Sequence, residues 1–206
     1  MRSTPFAAHL RTLLALAALA AAPVTASAQQ GPPPGAPPSN GPSLRLVLQG
    51  KLEMGGDPVA TVLFEDGSEQ KVVTGQGATF AVGAQARPSR TSPFAVRATG
   101  GVKFMTTAAT NADIFLLRFP LELVGTYDFA HDFHAGGGVV YHTGLKFYGG
   151  GVGDDLEFDN ATGATVEVGW RWLALSYTKI DYTDESGQTY NASNVGLVFN
   201  VLVGPR

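Results

Sequence analysis

The stretch Phe115-Leu116-Leu117-Arg118-Phe119-Pro120-Leu121-Glu122-Leu123-Val124-Gly125-Thr126-Tyr127-Asp128 decides how the chain is read. Side chains alternate faces along a strand. Phe115, Leu117, Phe119, Leu121, Leu123 and Tyr127 therefore share one side, and Arg118, Glu122 and Asp128 share the other. One face is large and apolar, the other is charged, and a period of two over this length predicts a β-strand. Pro120 removes one ladder hydrogen bond in mid-strand and is expected to mark a bulge where the strand bends.

The same alternation recurs outward in both directions. Upstream, Leu44, Leu46, Leu48 and Leu52 oppose Arg45, Gln49, Lys51 and Glu53. Ala78, Phe80, Val82 and Ala84 oppose Thr79, Gln85 and Arg87, and Phe94, Val96, Val102 and Phe104 oppose Arg97, Thr99 and Lys103. Downstream, Phe133, Val139, Tyr141, Leu145 and Phe147 oppose His134, His142 and Lys146. Val166, Val168, Trp170 and Trp172 then oppose Thr165, Glu167 and Arg171. Residues 173–182 form a seventh strand whose facing stays open, because Lys179 and Ile180 conflict with either register. Val195, Leu197, Phe199, Val201 and Val203 set the eighth against Asn194 and Asn200.

The connections alternate in length. Residues 88–92, 129–132 and 172–173 are short turns, whereas 106–112, 148–161 and 183–189 are longer, polar and rich in glycine or acid. Residues 54–76 hold their own hairpin, Val59–Glu65 and Gln70–Thr74 around Asp66-Gly67. Its Glu65, Asp66, Glu69 and Lys71 place it outside the main sheet, giving eight strands rather than ten. The expected fold is all-β: a closed antiparallel up-and-down transmembrane β-barrel spanning 44–206. Short turns at one end and long loops at the other fit such a barrel. So does an outward apolar face with aromatics near strand ends. The other face mixes charge with Gly83, Gly101, Gly136, Gly138, Gly144 and Gly169, as a narrow eight-stranded interior requires. A soluble ligand-binding barrel would reverse the two faces.

Residues 1–28 read as a signal peptide for Sec export: Arg2 and Arg11, the apolar run Thr12–Ala22, and a small-x-small end at Ala26-Ser27-Ala28. Residues 29–43 follow as a Pro/Gly-rich periplasmic spacer, because proline fixes φ and removes donors. The chain has no cysteine, so disulfides, thiolate metal sites and a lipid anchor on cysteine fall away. Of its 14 basic residues two lie in the leader, against 17 acidic ones, a balance unsuited to nucleic acid.

Asn194-Val195-Gly196-Leu197-Val198-Phe199-Asn200-Val201 resembles the barrel-assembly signal of outer-membrane proteins, through Asn194, Gly196, Phe199 and Val201. The chain runs on through Leu202 to Arg206 without the usual terminal aromatic. From Leu44 to Val203 the layout resembles the small porin-like outer-membrane β-barrels of Gram-negative bacteria, of OmpA-type and OmpX-type architecture. That resemblance implies location in the outer membrane. It also implies contact with outer-membrane lipid and lipopolysaccharide, and passage through the barrel-assembly machinery.

The candidate site is the inward charge network of Arg45, Lys51, Glu53, Arg97, Lys103, Arg118, Glu122, Glu167 and Arg171. Arg87, Lys146 and Asp128 share that face. Desolvated charges need partners, which favours a plugged lumen; the basic excess also admits an anion-leaning channel. His134 and His142 would lie about 27 Å apart along one strand, too far to share a metal, so no metal is expected. Ser176 has no histidine at its height and no nucleophile elbow occurs. The chain is therefore expected to be a non-enzyme without cofactor, and a monomer. Asp57, Asp113, Asp154, Asp155, Glu157, Asp159, Asp184 and Glu185 make the loops acidic, either as solvated charge or for bridging cations to lipopolysaccharide phosphates. Three readings follow: a structural or surface-interaction barrel with a plugged lumen, a narrow channel for small ions or solutes, and a soluble periplasmic β-barrel binder.

Overall fold

The computed structural model describes residues 41–63, 69–109, 112–149 and 155–204. The leader, almost all of the spacer, and Glu65, Asp66 and Asp154 lie outside the described residues. The described part falls in one compact unit, Asn40–Arg206. Its strands are β1 (Ser43–Met54), β2 (Pro58–Leu63), β3 (Glu69–Val73), β4 (Gly77–Arg87), β5 (Phe94–Ala109), β6 (Ala112–Phe129) and β7 (Phe133–Tyr148). There follow β8 (Leu156–Glu157), β9 (Ala161–Trp170), β10 (Leu173–Lys179), β11 (Asp181–Thr183), β12 (Thr189–Asn191) and β13 (Asn194–Val203).

Eight of these close into a hydrogen-bonded ring in the order β6-β5-β4-β1-β13-β10-β9-β7, sealed by the β6–β7 pairing. Every pairing is antiparallel. The short β8 adds to β7, making nine strands in the sheet, while β2–β3 and β11–β12 are separate two-stranded sheets. The acid-rich hairpin thus stays out of the ring. The start of β1 pairs with the end of β13, Leu46 opposite Val203, so both described ends sit at the short-turn end.

The apolar sets predicted for β1, β4, β5, β6, β9 and β13 face outward, and the charged and polar sets face in, apart from Arg171 of the β9 set. β10 resolves its open facing simply. Ala174, Ser176 and Thr178 point inward; Leu175, Tyr177 and Lys179 point outward. The inward phase continues to Ile180 and Tyr182, both buried.

Three expectations need correction. Leu145 and Phe147 were assigned to the outward face of β7, yet Leu145 is 1% exposed and belongs to an interior apolar cluster, as does Phe147. The cause is a bulge. Leu117 pairs with Lys146 but Phe119 pairs with Thr143, so Gly144 and Leu145 together face Arg118. One extra residue reverses the facing of everything beyond it. Gly144 adopts φ +60°, the left-handed region in which glycine carries no steric penalty. Lys146 is thereby turned out of the interior and pairs with Glu157 at 2.6 Å. Second, the bulge lies on β7 and not at Pro120. At Pro120 the β5–β6 ladder keeps its register but lacks two pairs, between Gly100↔Leu121 and Lys103↔Arg118. Third, the expected loop 106–112 is mostly strand: β5 and β6 run to a last pair at Ala109↔Ala112.

Candidate functional site

The inward side chains form three layers along the ring axis. At the long-loop end an apolar cap packs Met105, Ile114, Leu116, Val140, Leu145 and Phe147 from the ring against Val72, Phe158, Ile180, Tyr182 and Ala192 from the connections. Burial of this many apolar side chains in one cluster stabilises the closed end by the ordinary hydrophobic effect.

Below the cap lies a belt of charge. Lys51 pairs with Glu122 across the interior, and Arg97 Nη2 reaches Glu167 Oε2 at 2.6 Å. Lys103 Nζ lies 3.2 Å from Glu53 Oε2, which also accepts the Thr79 hydroxyl at 2.8 Å. Arg118 and Glu122, four apart on β6, point the same way but do not pair. Arg118 is fully buried and donates to the carbonyls of Thr74 and Gln76, while Lys103 donates to Gly75 O at 2.8 Å. The turn between β3 and β4 thus dips onto the belt, and two cations bind its carbonyl groups. His142 Nδ1 lies 2.6 Å from the Tyr182 hydroxyl, which Arg118 also approaches at 3.4 Å.

Backbone and side-chain hydrogen bonds lace the connections over this point. Asp57 N donates to Asn191 O at 2.7 Å, Asn191 N returns to Asp57 Oδ2 at 2.9 Å, and the Thr74 hydroxyl donates to Asn191 O at 2.6 Å. Asp57 is an exposed loop acid, as expected, and also fastens two connections together. Asp184 acts likewise within its own turn. The Ser186 hydroxyl above all, then the amides of Gln188 and Ser186 and the Tyr190 hydroxyl, hold its carboxyl below the usual range. Loop acids are often turn-formers for this reason.

At the short-turn end the interior opens into a polar cavity of about 700 Å³. Arg45, Gln85 and Arg97 line it in one cross-strand row, since Arg45 pairs with Gln85 and Gln85 with Arg97. Arg45 is half-buried and donates to Leu202 O at 3.0 Å. At the mouth Arg87 pairs with Asp128. Arg171 is not an interior residue. It occupies the β9–β10 turn at φ +56°, its guanidinium 4.6 Å from the Trp170 ring and 3.1 Å from Asp132. The alternation Trp170-Arg171-Trp172 continues past the last β9 residue into the turn, which is why it reads as strand.

Of the histidines, His134 points inward with Nε2 3.8 Å from Glu167 Oε1, His142 is in the belt, and His131 is in a turn. Among the described residues no group of three or more histidines and acids could hold a metal. The residues of the assembly-signal resemblance lie on β13, which pairs with β1 and β10. Asn194 and Gly196 point inward, Val201 outward, and Phe199 is half-buried. Sequence reasoning missed the cavity and the inward turn 74–76. Neither carries periodicity, although the Thr74-Gly75-Gln76-Gly77 composition signals a tight approach.

Comparison with known proteins finds no matching family model, no similar curated protein and no similar solved structure.

Proposed function

We propose that the chain is an exported integral outer-membrane protein of a Gram-negative bacterium. In this reading the ring spans the bilayer as a transmembrane β-barrel, monomeric and non-enzymatic, with a sealed lumen. Its role is structural, or interaction through the long-loop end with lipopolysaccharide and other surface molecules. One observation carries the reading. Around the ring the outward side chains are apolar and about half exposed, such as Val82 at 54%, Val139 at 54% and Val168 at 51%. The side chains behind them are buried charges. A continuous apolar belt of this extent has no place in water. From Leu44 to Met54 the outward face of β1 covers about 34 Å along the strand, or about 26 Å at a tilt near 40°. That matches the apolar band of outer-membrane barrels. Aromatics cluster at its short-turn rim, where Phe94 and Tyr127 lie tilted with ring centres 4.8 Å apart and Trp172 stacks on Phe199 at 5.9 Å.

The cap, the laced connections and the buried Arg118 support a sealed lumen over the channel reading. The expected result is recovery in the outer-membrane fraction, with a gel mobility that changes on boiling, and no steady current in planar bilayers. Arg118→Ala removes the cation that holds the turn 74–76 down and is expected to bring flickering current. Soluble recovery with no mobility shift would overturn the membrane reading. Steady current from the native protein would overturn the seal and favour a narrow channel.

A further inference from the structure

We propose that the cavity at the short-turn end binds a small organic oxyanion, a carboxylate or a phosphate. The belt and cap close the interior above it, so it fills from that end alone.

The floor carries the argument. Neighbouring strands are about 4.8 Å apart, so the row Arg45-Gln85-Arg97 sets two guanidinium-bearing residues roughly 10 Å apart with a carboxamide between them. Guanidinium forks match carboxylate and phosphate oxygens in geometry as well as charge. Arg97 and Gln85 are buried, as is Asn200 on β13, the neighbour of β1 on its other side. Buried polar groups are ordinarily satisfied. Here Arg97 Nε and Glu167 Oε1 have no hydrogen-bond partner among the described residues. Of these two residues Arg97 lines the cavity, so the floor offers an unused donor beside the guanidinium charge.

Ion pairing accounts for Arg87, Arg97 and Arg171 at this end, but not for the open space between them. The Arg87–Asp128 pair joins the ends of β4 and β6, and the Arg171–Asp132 pair joins two short turns. If the only task were to fill the ring, the mouth would be packed as the belt is. Instead a space of about 700 Å³ remains, within the usual range for small-molecule sites. Four guanidinium groups line it, with the carboxylates Asp128 and Asp132 both at the rim.

The test is titration calorimetry of the full, folded protein in a nonionic detergent, with citrate and inorganic phosphate as probes and sucrose as a neutral control. Saturable heat is expected with at least one anion and none with sucrose. Arg45→Gln and Arg87→Gln should each weaken binding by about tenfold. Arg90→Gln, exposed in the 88–92 turn and outside the cavity lining, should change it by less than about twofold. Arg97 is replaced only together with its partner, as Arg97→Gln/Glu167→Gln, so that no bare charge is left inside; this pair should also weaken binding about tenfold. No saturation by either probe at about 10 mM, or affinity indifferent to both Arg45→Gln and Arg87→Gln in protein that still shifts on boiling, overturns the proposal. Repeating the citrate titration in phosphatidylcholine vesicles with and without phosphatidylglycerol separates two sources of the same chemistry. Weaker binding only with phosphatidylglycerol identifies a lipid phosphate as the occupant, and equal binding identifies a free solute. The site does not depend on the membrane reading: soluble recovery of a protein that binds citrate would sink that reading and leave this one standing.

Discussion

Lys51→Met is expected to destabilise the folded ring by about 3–5 kcal/mol, the usual cost of removing one member of a buried ion pair. Lys51 and Glu122 reach each other from β1 and β6, three strands apart around the ring, and both are buried. The second oxygen of Glu122 has no hydrogen-bond partner among the described residues, so the carboxylate depends on Lys51. Without the lysine a charge remains in a confined interior with nothing to compensate it. The double variant Lys51→Met/Glu122→Met removes both charges and keeps most of the volume, and such exchanges are often neutral or stabilising. It is expected within about 1–2 kcal/mol of the native protein. The measurement is the urea midpoint of unfolding in detergent or vesicles for all four members of the cycle. A Lys51→Met variant as stable as the double would mean that water reaches Glu122, and that the belt is not sealed.

The second large effect comes from the backbone. Adding a Cβ at Gly138, on the inner face of β7, would place it 2.0 Å from Leu123 O and 2.7 Å from Val124 Cα. Both are backbone atoms of the paired strand and cannot swing aside. Gly138→Ala is expected to cost about 3 kcal/mol or more, at the upper end of overpacking effects. On a gel most of the protein should then run as the boiled form without boiling. Gly137→Ala, one residue away on the outer face, is the control. Its nearest neighbour would be Thr165 O at 3.8 Å, an ordinary contact, so the change should stay within about 0.5 kcal/mol. If the two alanines behave alike, the inward bend of the strands does not set the glycine requirement.

Six of the eight ring strands could be sorted into inner and outer faces from alternation alone, because nothing interrupts their period between one turn and the next. The strand around Phe115–Asp128 is the best case, and even Pro120 leaves its phase intact. Where reading failed, the deciding information lay on another strand or in the closure of the ring. Leu145 and Phe147 look outward on β7 alone. Only the pairing with β6, where two residues meet Arg118, reveals the reversal. Arg171 keeps the rhythm of β9 after the strand has ended, so periodicity carries it inward by mistake. The pairs themselves, Lys51 with Glu122 and Arg97 with Glu167, join residues 71 and 70 positions apart. Alternation says that such residues share an interior, but only strand order and stagger say which meet. Carbonyl acceptors are invisible in sequence, and so Arg118 gave no sign that its partners would be Thr74 and Gln76.

The bulge at Gly144 gives one continuous strand two grammars. Before it, the interior words of β7 fall on even numbers, His134, Val140 and His142; after it they fall on odd numbers, Leu145 and Phe147. The switch falls between His142 of the belt and Leu145 and Phe147 of the apolar cap, which Val140 joins from the earlier frame. Each frame can change its vocabulary without disturbing the other, as long as the single unpaired residue between them is kept.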